Sequence, residues 1–560
     1  MLTIEQNQRI QEALSLHQDG QLDLAEVHYK KLLSDLPQNT LILTNLGTIK
    51  LQKNNLEEGI HLIEKSLEID PKQPNALNNL GVFLQRHNRS LEAFDRYNRA
   101  IAIESNYPEA YSNRGNALMD LNRFDEALDS YNHAIRIKPD YAQAFSNRGN
   151  ALKELNRLND SHESYSKAIE LNSNYANAFS NRGEVLKKLG LKEASIDDYQ
   201  RSLELNPEIE YINGELINTK MHLCIWNNFN SQVSELIDQI KNDKKVSNPF
   251  PLLSLVDELS ILKKVSEIYV NDKYASIKQP KVESFKQNKS KIKIGYFSPD
   301  FRKHPVATLS AEIYELHDKD NFEIHGFYFG PDTNDEMNFR IRAGVDYFHD
   351  ISSLSNEDTV NLTRGLGIDI AVDLTGFTEL NRTAIFAMRV APIQVNYIGF
   401  LGTMGSNFHD YILADLTIIP KKNRKYYSEK IAYLSSYQAN DSKRIHPEMD
   451  IKRQDIGLPE KSFIFCCFNN TYKITPEIFD SWATILKAVK GSIMFIYVDN
   501  ELAKINLKKE ISSRKVDPSR LFFGEYLPFS DYLARYRVMD LFLDTYPYNA
   551  GTTASDALWM

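Results

Sequence analysis

The feature that most constrains this chain is a strict period of 34 residues in its first 209 positions. Glycine recurs at this interval, and an asparagine stands two positions before every one of these glycines. The pairs are Asn45 and Gly47, Asn79 and Gly81, Asn113 and Gly115, Asn147 and Gly149, and Asn181 and Gly183. Such a period predicts a stack of similar supersecondary units, each packed on its neighbours, instead of one globular core.

Within each unit the apolar residues follow helical spacing in two runs, which are separated by a short polar turn. The glycine and a small residue twelve positions later allow two helices to approach closely, and a proline ends the second helix in several units. Pro37 holds the proline position one period earlier, which marks a first unit without the glycine. The six predicted units are 6–39, 40–73, 74–107, 108–141, 142–175 and 176–209.

Composition excludes several classes of protein. The formal net charge of −9 argues against a nucleic-acid or membrane-surface binder, which would be basic. No apolar run approaches the roughly 20 residues that a membrane span needs. The three cysteines form no CxxC pair, which argues against a zinc site or a disulfide framework. We therefore expect a cytoplasmic protein without a bound metal.

The pattern changes after the repeats. Residues 210–290 look like a helical transition and linker, and its last part, "KQPKVESFKQNKSK", looks like an exposed connection. From 291 onward, β-rich runs alternate with helical stretches, which predicts parallel sheets and two Rossmann-like lobes, at 291–455 and 456–560. A ligand cleft would lie between them, at the carboxyl ends of the strands. The predicted strands are 291–298, 322–330, 367–376, 393–400, 410–415, 462–468, 492–499, 520–526 and 540–545.

The last strand leads into "TYPYNAGTTASDALWM", in which Thr552 and Thr553 open a helix. A helix N-terminus offers free N–H groups and a partial positive charge, so a diphosphate would fit there; the threonines could equally be simple caps. Asp556, one turn inside, could reach a ribose hydroxyl or could be an ordinary N-terminal acid. Lys473 follows another strand, where it could neutralise a leaving diphosphate or be a solvated loop lysine.

In the first lobe, His304 follows a strand and precedes a proline, so it could act as a base, bind a sugar hydroxyl or be structural. Alternation places Asp369 and Asp373 on one face of a strand, which could also be simple sheet polarity. The glycines of "YIGFLGTMG", among them Gly399 and Gly402, allow close approach of the backbone to a ligand. No Walker A, HExxH or GxSxG pattern is present, which leaves P-loop, zincin and serine-hydrolase readings without support.

Taken together, the repeats and five later motifs resemble the O-linked N-acetylglucosamine transferase/SPINDLY family. The motifs stand in the family's order: "DFRKHP", "RVAPIQVNYIGFLGTMG", "YSEKIAYL", "CFNNTYKITPEIF" and "LDTYPYNAGTTASDALW". The resemblance implies an all-α tetratricopeptide superhelix followed by an α/β GT-B domain of two Rossmann-like lobes. The family continues past "DALW", so the second lobe is expected to be incomplete and the chain to be a fragment of a longer protein.

The resemblance also assigns roles. It implies a bacterial, cytoplasmic, inverting and metal-independent protein O-glycosyltransferase that needs no cofactor. The sugar would pass from UDP-GlcNAc, or alternatively from GDP-fucose, to Ser or Thr hydroxyls; a non-catalytic repeat scaffold is the further alternative. The residues carried over as catalytic are His304, Asp369 and Lys473. Those carried over for the donor are Asn470, Arg535, Thr552, Thr553, Asp556, Gly399 and Gly402.

Several positions depart from the family pattern and bear on the identity of the donor. Asp369 stands where animal enzymes have a histidine, Leu401 replaces a proline in the donor-sugar loop, and Gly551 replaces a histidine. Phe529 and Tyr532 replace a lysine and a histidine that hold the nucleoside.

The five repeated asparagines have an interpretation of their own. In this kind of repeat the position faces the concave side, so the 34-residue period stacks Asn45, Asn79, Asn113, Asn147 and Asn181 into a ladder of amides. Each amide has donors and an acceptor and can hold the backbone of an extended peptide with little regard for its side chains. We expect protein substrates to bind along this ladder, and a repeat surface of this kind also allows homo-oligomers.

Overall fold

The computed structural model describes residues 3–280, 291–448 and 451–560. Two compact units divide the chain, Met1–Leu205 and Asn206–Met560. The first is helical, whereas the second begins with helices and continues as an α/β fold. Residues 281–290, within the predicted exposed connection, lie outside the described part of the chain.

The described part of the first unit consists of six antiparallel helix pairs. In each pair the first helix packs against the second, and in the first five pairs the second helix packs against the first helix of the following pair. The pairs are α1 (Ile4–Gln18) with α2 (Leu22–Asp35), α3 (Thr40–Gln52) with α4 (Leu56–Ile69), α5 (Pro74–Arg86) with α6 (Ser90–Ile103), α7 (Pro108–Asp120) with α8 (Phe124–Ile137), α9 (Ala142–Glu154) with α10 (Leu158–Leu171), and α11 (Ala176–Lys188) with α12 (Lys192–Leu205).

The repeated glycines make room for a tyrosine. A Cβ atom on Gly115 would lie 2.5 Å from the ring of Tyr131, which is buried on α8, the second helix of the same unit. Gly149 and Tyr165 repeat this arrangement, and the small residue Ser161 donates its hydroxyl to the Gly149 carbonyl at 2.7 Å. The glycine therefore serves packing within each pair, as the sequence indicates.

A second periodic position lies in the turn between the paired helices. Gly20 and Gly190 adopt left-handed backbone there, and asparagine takes their place in the four intervening units, with φ between 56° and 60°. Asparagine tolerates this conformation better than other residues with a Cβ atom. The turn thus keeps one geometry throughout the stack.

The second unit opens with α13 (Ile212–His222), α14 (Phe229–Lys241), α15 (Pro249–Leu252) and α16 (Leu259–Tyr274). Their apolar faces share one core with the second sheet, for example through Trp226, which packs edge-on against Phe479 at 5.2 Å between ring centroids. Thr471 also donates a hydrogen bond to the His222 carbonyl at 2.8 Å. The segment that the sequence suggests as a transition is therefore part of this unit's core.

The first sheet has seven parallel strands in the order β3-β2-β1-β4-β5-β6-β7. Two of them, β3 and β7, are absent from the strands predicted above; each has four residues, and neither is fully buried. The strands are β1 (Ile292–Ser298), β2 (Phe322–Tyr328), β3 (Tyr347–Asp350), β4 (Ile370–Asp373), β5 (Ile393–Asn396), β6 (Tyr411–Ala414) and β7 (Lys430–Tyr433), with helices α17 (Pro305–Leu316), α18 (Glu336–Gly344), α19 (Asn356–Leu366) and α20 (Thr383–Ala387).

The second sheet has four parallel strands in the order β10-β9-β8-β11. Its central strand β8 contains Cys466 and Cys467, which are fully buried, free thiols that pack in the core. The elements are β8 (Ile464–Cys467), α21 (Pro476–Ala488), β9 (Ile493–Tyr497), α22 (Glu501–Ser513), β10 (Leu521–Gly524), α23 (Phe529–Arg535), β11 (Leu541–Phe542) and α24 (Thr552–Trp559). The predicted fold class, helical repeats followed by two Rossmann-like sheets, is confirmed.

Candidate active site

Each sheet has one point at which the strand order reverses. In the first sheet it lies between β1 and β4, and in the second between β8 and β11. Loops leave in opposite directions there and open a crevice at the carboxyl ends of the strands, where α/β proteins bind ligands. The helices that follow β1 and β11, α17 and α24, pack against each other and join the two crevices.

His304 lies at the crevice of the first sheet, as the N-cap of α17. The Val306 N–H donates to its Nδ1 at 3.3 Å, and Asp300 Oδ2 lies 3.4 Å from the same nitrogen. Burial lowers the pKa of His304, although Asp300 works against this shift. Because Nδ1 accepts a hydrogen bond, the neutral ring carries its proton on Nε2, which is then a donor.

Beside this position, a series of buried, hydrogen-bonded polar side chains begins at Asp373, the last residue of β4. Asp373 accepts hydrogen bonds from the Thr375 and Gly376 N–H groups at 2.9 and 3.0 Å, and its other oxygen lies 3.3 Å from His409 Nε2. His409 Nδ1 is in turn 3.0 Å from the Ser406 hydroxyl. Sequence analysis missed His409 and Ser406, since nothing in their local spacing signals the long-range contact. Their burial makes them support for the loop after β4.

Asp369 does not belong to this crevice, which contradicts its expected catalytic role. It precedes β4, where its Oδ2 accepts the Lys293 N–H at 3.0 Å and its own N–H donates to the Lys293 carbonyl. These contacts put it at the amino ends of β1 and β4, one strand length away from His304. Asp369 is buried and holds the register of the sheet.

The glycine-rich loop after β5 is tight for internal reasons. A Cβ atom on Gly399 would lie 1.9 Å from the Leu374 carbonyl oxygen, and one on Gly402 would lie 2.8 Å from the Phe400 ring. Gly399 is therefore required where the loops after β4 and β5 pack on each other, and Gly402 is required where the loop after β5 folds against its own Phe400 ring. Whether Gly399 and Gly402 also contact a donor stays a prediction.

Lys473 ends a 3₁₀ turn after β8, Thr471–Lys473, at the crevice of the second sheet. Its Nζ donates to the Asn549 carbonyl at 3.2 Å and lies 3.9 Å from the centroid of the Tyr548 ring. Burial lowers the pKa of Lys473 to about 8, and the negative charge of Asp544 opposes that shift. The ammonium group thus reaches the loop that precedes α24.

Thr552 and Thr553 open α24 on the other side of that loop, and no side chain among the described residues caps this helix. The Thr553 hydroxyl donates to Asn469 Oδ1, while Asn469 Nδ2 donates to the Thr545 hydroxyl at 2.8 Å. Asn469 is buried, whereas the predicted Asn470 is exposed. The residue that ties β8 to α24 is therefore the neighbour of the one the sequence suggested.

Asp556 does not present a free carboxylate, which contradicts the expected contact with ribose. One oxygen pairs with the Arg444 guanidinium, and the other accepts the Tyr532 hydroxyl at 3.0 Å. Only 3% of the Asp556 side chain is exposed. Sequence analysis could not find Arg444, because it lies more than a hundred residues away in a polar segment.

Arg535 is buried at the end of α23, close to the same crevice. Its guanidinium lies 4.7 Å from the Phe468 ring centroid, and Nη1 donates to the Glu525 carbonyl at 3.1 Å. Nε and Nη2 have no hydrogen-bond partner among the described residues. Burial lowers the pKa of Arg535. A buried cation with unpaired donors is a strong candidate for a ligand group, so its predicted role remains open.

The repeated asparagines are not equivalent. Asn113, Asn147 and Asn181 each donate their Nδ2 to an asparagine of the preceding unit, at 2.9, 2.9 and 3.2 Å respectively; the acceptors are Asn78, Asn116 and Asn150. By contrast, Asn45 donates to the Leu41 carbonyl within its own helix, and Asn79 is exposed. Amide groups of neighbouring units therefore bond to each other directly, which sequence spacing alone does not indicate.

Curated proteins with similar sequences are named as sugar transferases. A probable UDP-N-acetylglucosamine–peptide N-acetylglucosaminyltransferase SEC of Arabidopsis thaliana is 34% identical over 275 residues, which cover 48% of this chain and 28% of the relative. A UDP-N-acetylglucosamine–peptide N-acetylglucosaminyltransferase of Caenorhabditis elegans is 25% identical, over 60% of this chain and 40% of the relative. The chain thus spans well under half the length of these relatives.

Among solved structures, a mutant O-GlcNAc transferase of Thermobaculum terrenum has a similar fold. It matches with a TM-score of 0.57 and 23% identity, over 81% of both chains. At this identity the match supports the fold alone.

Family models cover both units. Tetratricopeptide-repeat models match residues 16–80, 115–156, 149–190 and 176–209, in agreement with the helix pairs. The model of glycosyl transferase family 41 matches residues 223–452 and 448–560, which together are more than half of the chain and contain both crevices. Helical repeats, two Rossmann-like sheets and this match lead to one conclusion: the chain belongs to glycosyl transferase family 41.

Proposed function

We propose that this chain is a protein O-glycosyltransferase that moves N-acetylglucosamine from UDP-GlcNAc to Ser and Thr hydroxyls of protein substrates. The observation that carries this proposal is the second crevice, where the Lys473 ammonium and the uncapped start of α24 face one loop. A cation and a helix N-terminus together suit a diphosphate. The names of the relatives favour UDP-GlcNAc over GDP-fucose.

In the proposed reaction, an acceptor hydroxyl attacks the anomeric carbon, the bond from that carbon to the diphosphate breaks, and the hydroxyl proton passes to an oxygen of the leaving diphosphate. Lys473 and the N–H groups of Thr552 and Thr553 stabilise the charge that develops on the leaving diphosphate. His304, with its proton on Nε2, donates a hydrogen bond to a sugar or acceptor oxygen at the other crevice. A single displacement of this kind inverts the anomeric centre. The reaction needs no metal, because Lys473 and the helix N-terminus already supply the positive charge.

Protein substrates bind along the asparagines of the repeats in this proposal, and the reaction takes place in the bacterial cytoplasm. No helix in the described residues is both long and apolar enough to span a membrane. The repeats would select the protein, whereas the two crevices would select the sugar nucleotide.

A donor-hydrolysis assay and calorimetry with UDP test this proposal, with GDP-fucose and GDP in parallel. We expect UDP binding and slow UDP-GlcNAc hydrolysis, both strongly reduced in Lys473→Met. Turnover of GDP-fucose alone would assign the other donor. Binding of neither nucleotide would leave the repeat scaffold as the function of this chain.

A further inference from the structure

The segment that connects the two sheets is fastened to both of them by charged groups. Residues 440–444, which we call the crosspiece, form a turn in which the Asp441 carboxylate accepts the Lys443 N–H at 3.0 Å. Toward the first sheet, Asp441 pairs with Arg340 on α18, with 2.9 Å to Nη2. Lys443 Nζ lies 2.6 Å from Glu315 on α17. The crosspiece is therefore fixed to the helix that begins beside His304.

Toward the second sheet, the crosspiece holds α24. Arg444 Nη1 donates to the Ser555 hydroxyl at 2.9 Å, and Nη2 pairs with the Asp556 carboxylate. The Ser555 hydroxyl also bonds to Asn440, while Tyr532 on α23 donates to the second oxygen of Asp556. All four side-chain contacts fall within the first turn and a half of α24.

Burial of these groups indicates what they do. Arg444 and Asp556 have 2% and 3% of their side chains exposed. Burying an ion pair is expensive in desolvation, and such a pair gives little net stability compared with an apolar one. The pair instead fixes orientation, because a guanidinium that binds two groups holds both of them at defined positions. The two groups here are consecutive residues of the helix whose N-terminus would bind the diphosphate.

We propose that Arg444 is a positioning residue for sugar transfer: it holds α24 so that the helix start faces the diphosphate at a fixed place relative to Lys473 and α17. This inference rests on the proposed function. Arg444 acts through α24, because its guanidinium contacts Ser555 and Asp556 of that helix and only 2% of its side chain is exposed. The inference also explains why Asp556 is ionically paired instead of facing ribose.

The test compares the full chain with a variant that removes both charges, Arg444→Met with Asp556→Asn. Replacing Arg444 alone would leave a buried unpaired carboxylate and could unfold the lobe, whereas the double variant leaves neither charge behind. The matched control is Arg453→Met with Asp540→Asn, an ion pair with 2.8 Å between Nη2 and Oδ2. It lies at the amino end of the same sheet, where Asp540 also accepts the Ile464 N–H.

Three measurements decide the inference: calorimetry, steady-state kinetics and amide hydrogen exchange. We expect the dissociation constant of UDP, measured by calorimetry, and the KM for UDP-GlcNAc to rise at least about tenfold in the double variant, with an unchanged KM for an acceptor peptide. Arg444→Lys, which keeps the charge and loses the second contact, should fall in between. Amide hydrogen exchange over residues 552–559 should be at least about tenfold faster in the double variant. The control pair should change none of these quantities.

Failure of this inference and failure of the proposed function are distinguishable. A wild-type chain that binds no UDP overturns the proposed function. In that case, amide exchange of residues 552–559 still tests whether the crosspiece holds α24 in place. Equal exchange in wild type and double variant overturns the positioning role of Arg444, as does a double variant that binds UDP with wild-type affinity. A parallel rise in both KM values would mean general damage and would also overturn it.

Discussion

Lys473 and Tyr548 form a cation–π contact, with 3.9 Å between the ammonium nitrogen and the ring centroid. The ring packs edge-on against Phe250 of α15, at 6.3 Å between centroids, and also against the core of the first sheet. The Lys473 ammonium group therefore packs against an aromatic surface that includes α15, a helix that precedes both sheets in the chain. Enclosure of this kind raises the strength of any charge interaction the lysine makes, since little water screens it.

The pKa of about 8 for Lys473 gives a pH dependence for nucleotide binding. The ammonium is charged below this pKa and neutral above it, so affinity for UDP should fall as the pH rises through about 8. We expect a decrease approaching tenfold per pH unit, measured by calorimetry between about pH 7 and pH 9.5. Lys473→Met should bind weakly and without this dependence, and should lose about 10²–10³-fold in turnover. A wild-type affinity that stays constant across the range would contradict the assignment.

Burial lowers the pKa of Lys473, and the Tyr548 ring covers the ammonium group with its nitrogen 3.9 Å from the ring centroid. Tyr548→Ala should expose Lys473 to water, so its pKa should rise toward the usual value near 10.5 and the fall in UDP affinity should move to higher pH. Tyr548→Phe is the matched control, because it keeps the ring over the ammonium group. The pH profiles of UDP binding by both variants check this. Identical profiles for alanine and phenylalanine would mean that other neighbours control the lysine.

How far the sequence predicts this molecule depends on the range of each contact. The 34-residue period predicts the helix pairs correctly, since every packing partner lies within the same or the next unit. The strands that the sequence misses, β3 and β7, have four residues each and are only partly buried. Their place in the sheet depends on neighbours far away in sequence, which local patterns do not record.

The candidate site shows the same division. His304, Lys473 and Thr552 lie at the carboxyl ends of strands, as predicted, because a strand followed by a polar loop is a local pattern. The family resemblance implies roles for Asp369 and Asp556, yet both carboxylates are occupied by contacts from distant segments. A motif specifies which residue is present, whereas only the fold specifies whether its carboxylate is free.

Asp369 offers a direct check of its corrected role. Asp369→Ala removes the acceptor for the buried Lys293 N–H, which should cost about 1–3 kcal/mol in the free energy of unfolding. Turnover per folded molecule should stay at the wild-type level, because the residue lies at the amino ends of the strands. Chemical denaturation and donor hydrolysis, each normalised to folded protein, measure the two effects. A stable variant that has lost its activity would restore the catalytic assignment.

The asparagine ladder needs a variant that separates binding of a peptide from packing of the repeats. Asn147 donates to Asn116 Oδ1, which also accepts the Tyr131 hydroxyl at 2.8 Å. Asn147→Ala removes both the ladder amide and this inter-unit bond, whereas Asn116→Ala removes the bond and leaves the Asn147 amide in place. We expect Asn147→Ala, combined with the same change at Asn113 and Asn181, to reduce glycosylation of protein substrates several-fold while UDP-GlcNAc hydrolysis stays constant.

The matched triple variant with alanine at Asn78, Asn116 and Asn150 loses the same three inter-unit bonds. Thermal unfolding should shift further in this second set, because it also removes the acceptors of the buried Tyr131 and Tyr165 hydroxyls, at 2.8 and 2.6 Å. Only the first set should lose protein glycosylation, since only it lacks the amides that would meet the substrate backbone. Equal losses of glycosylation in the two sets would contradict peptide binding by the ladder. They would show that the repeated asparagine serves to hydrogen-bond neighbouring units to each other.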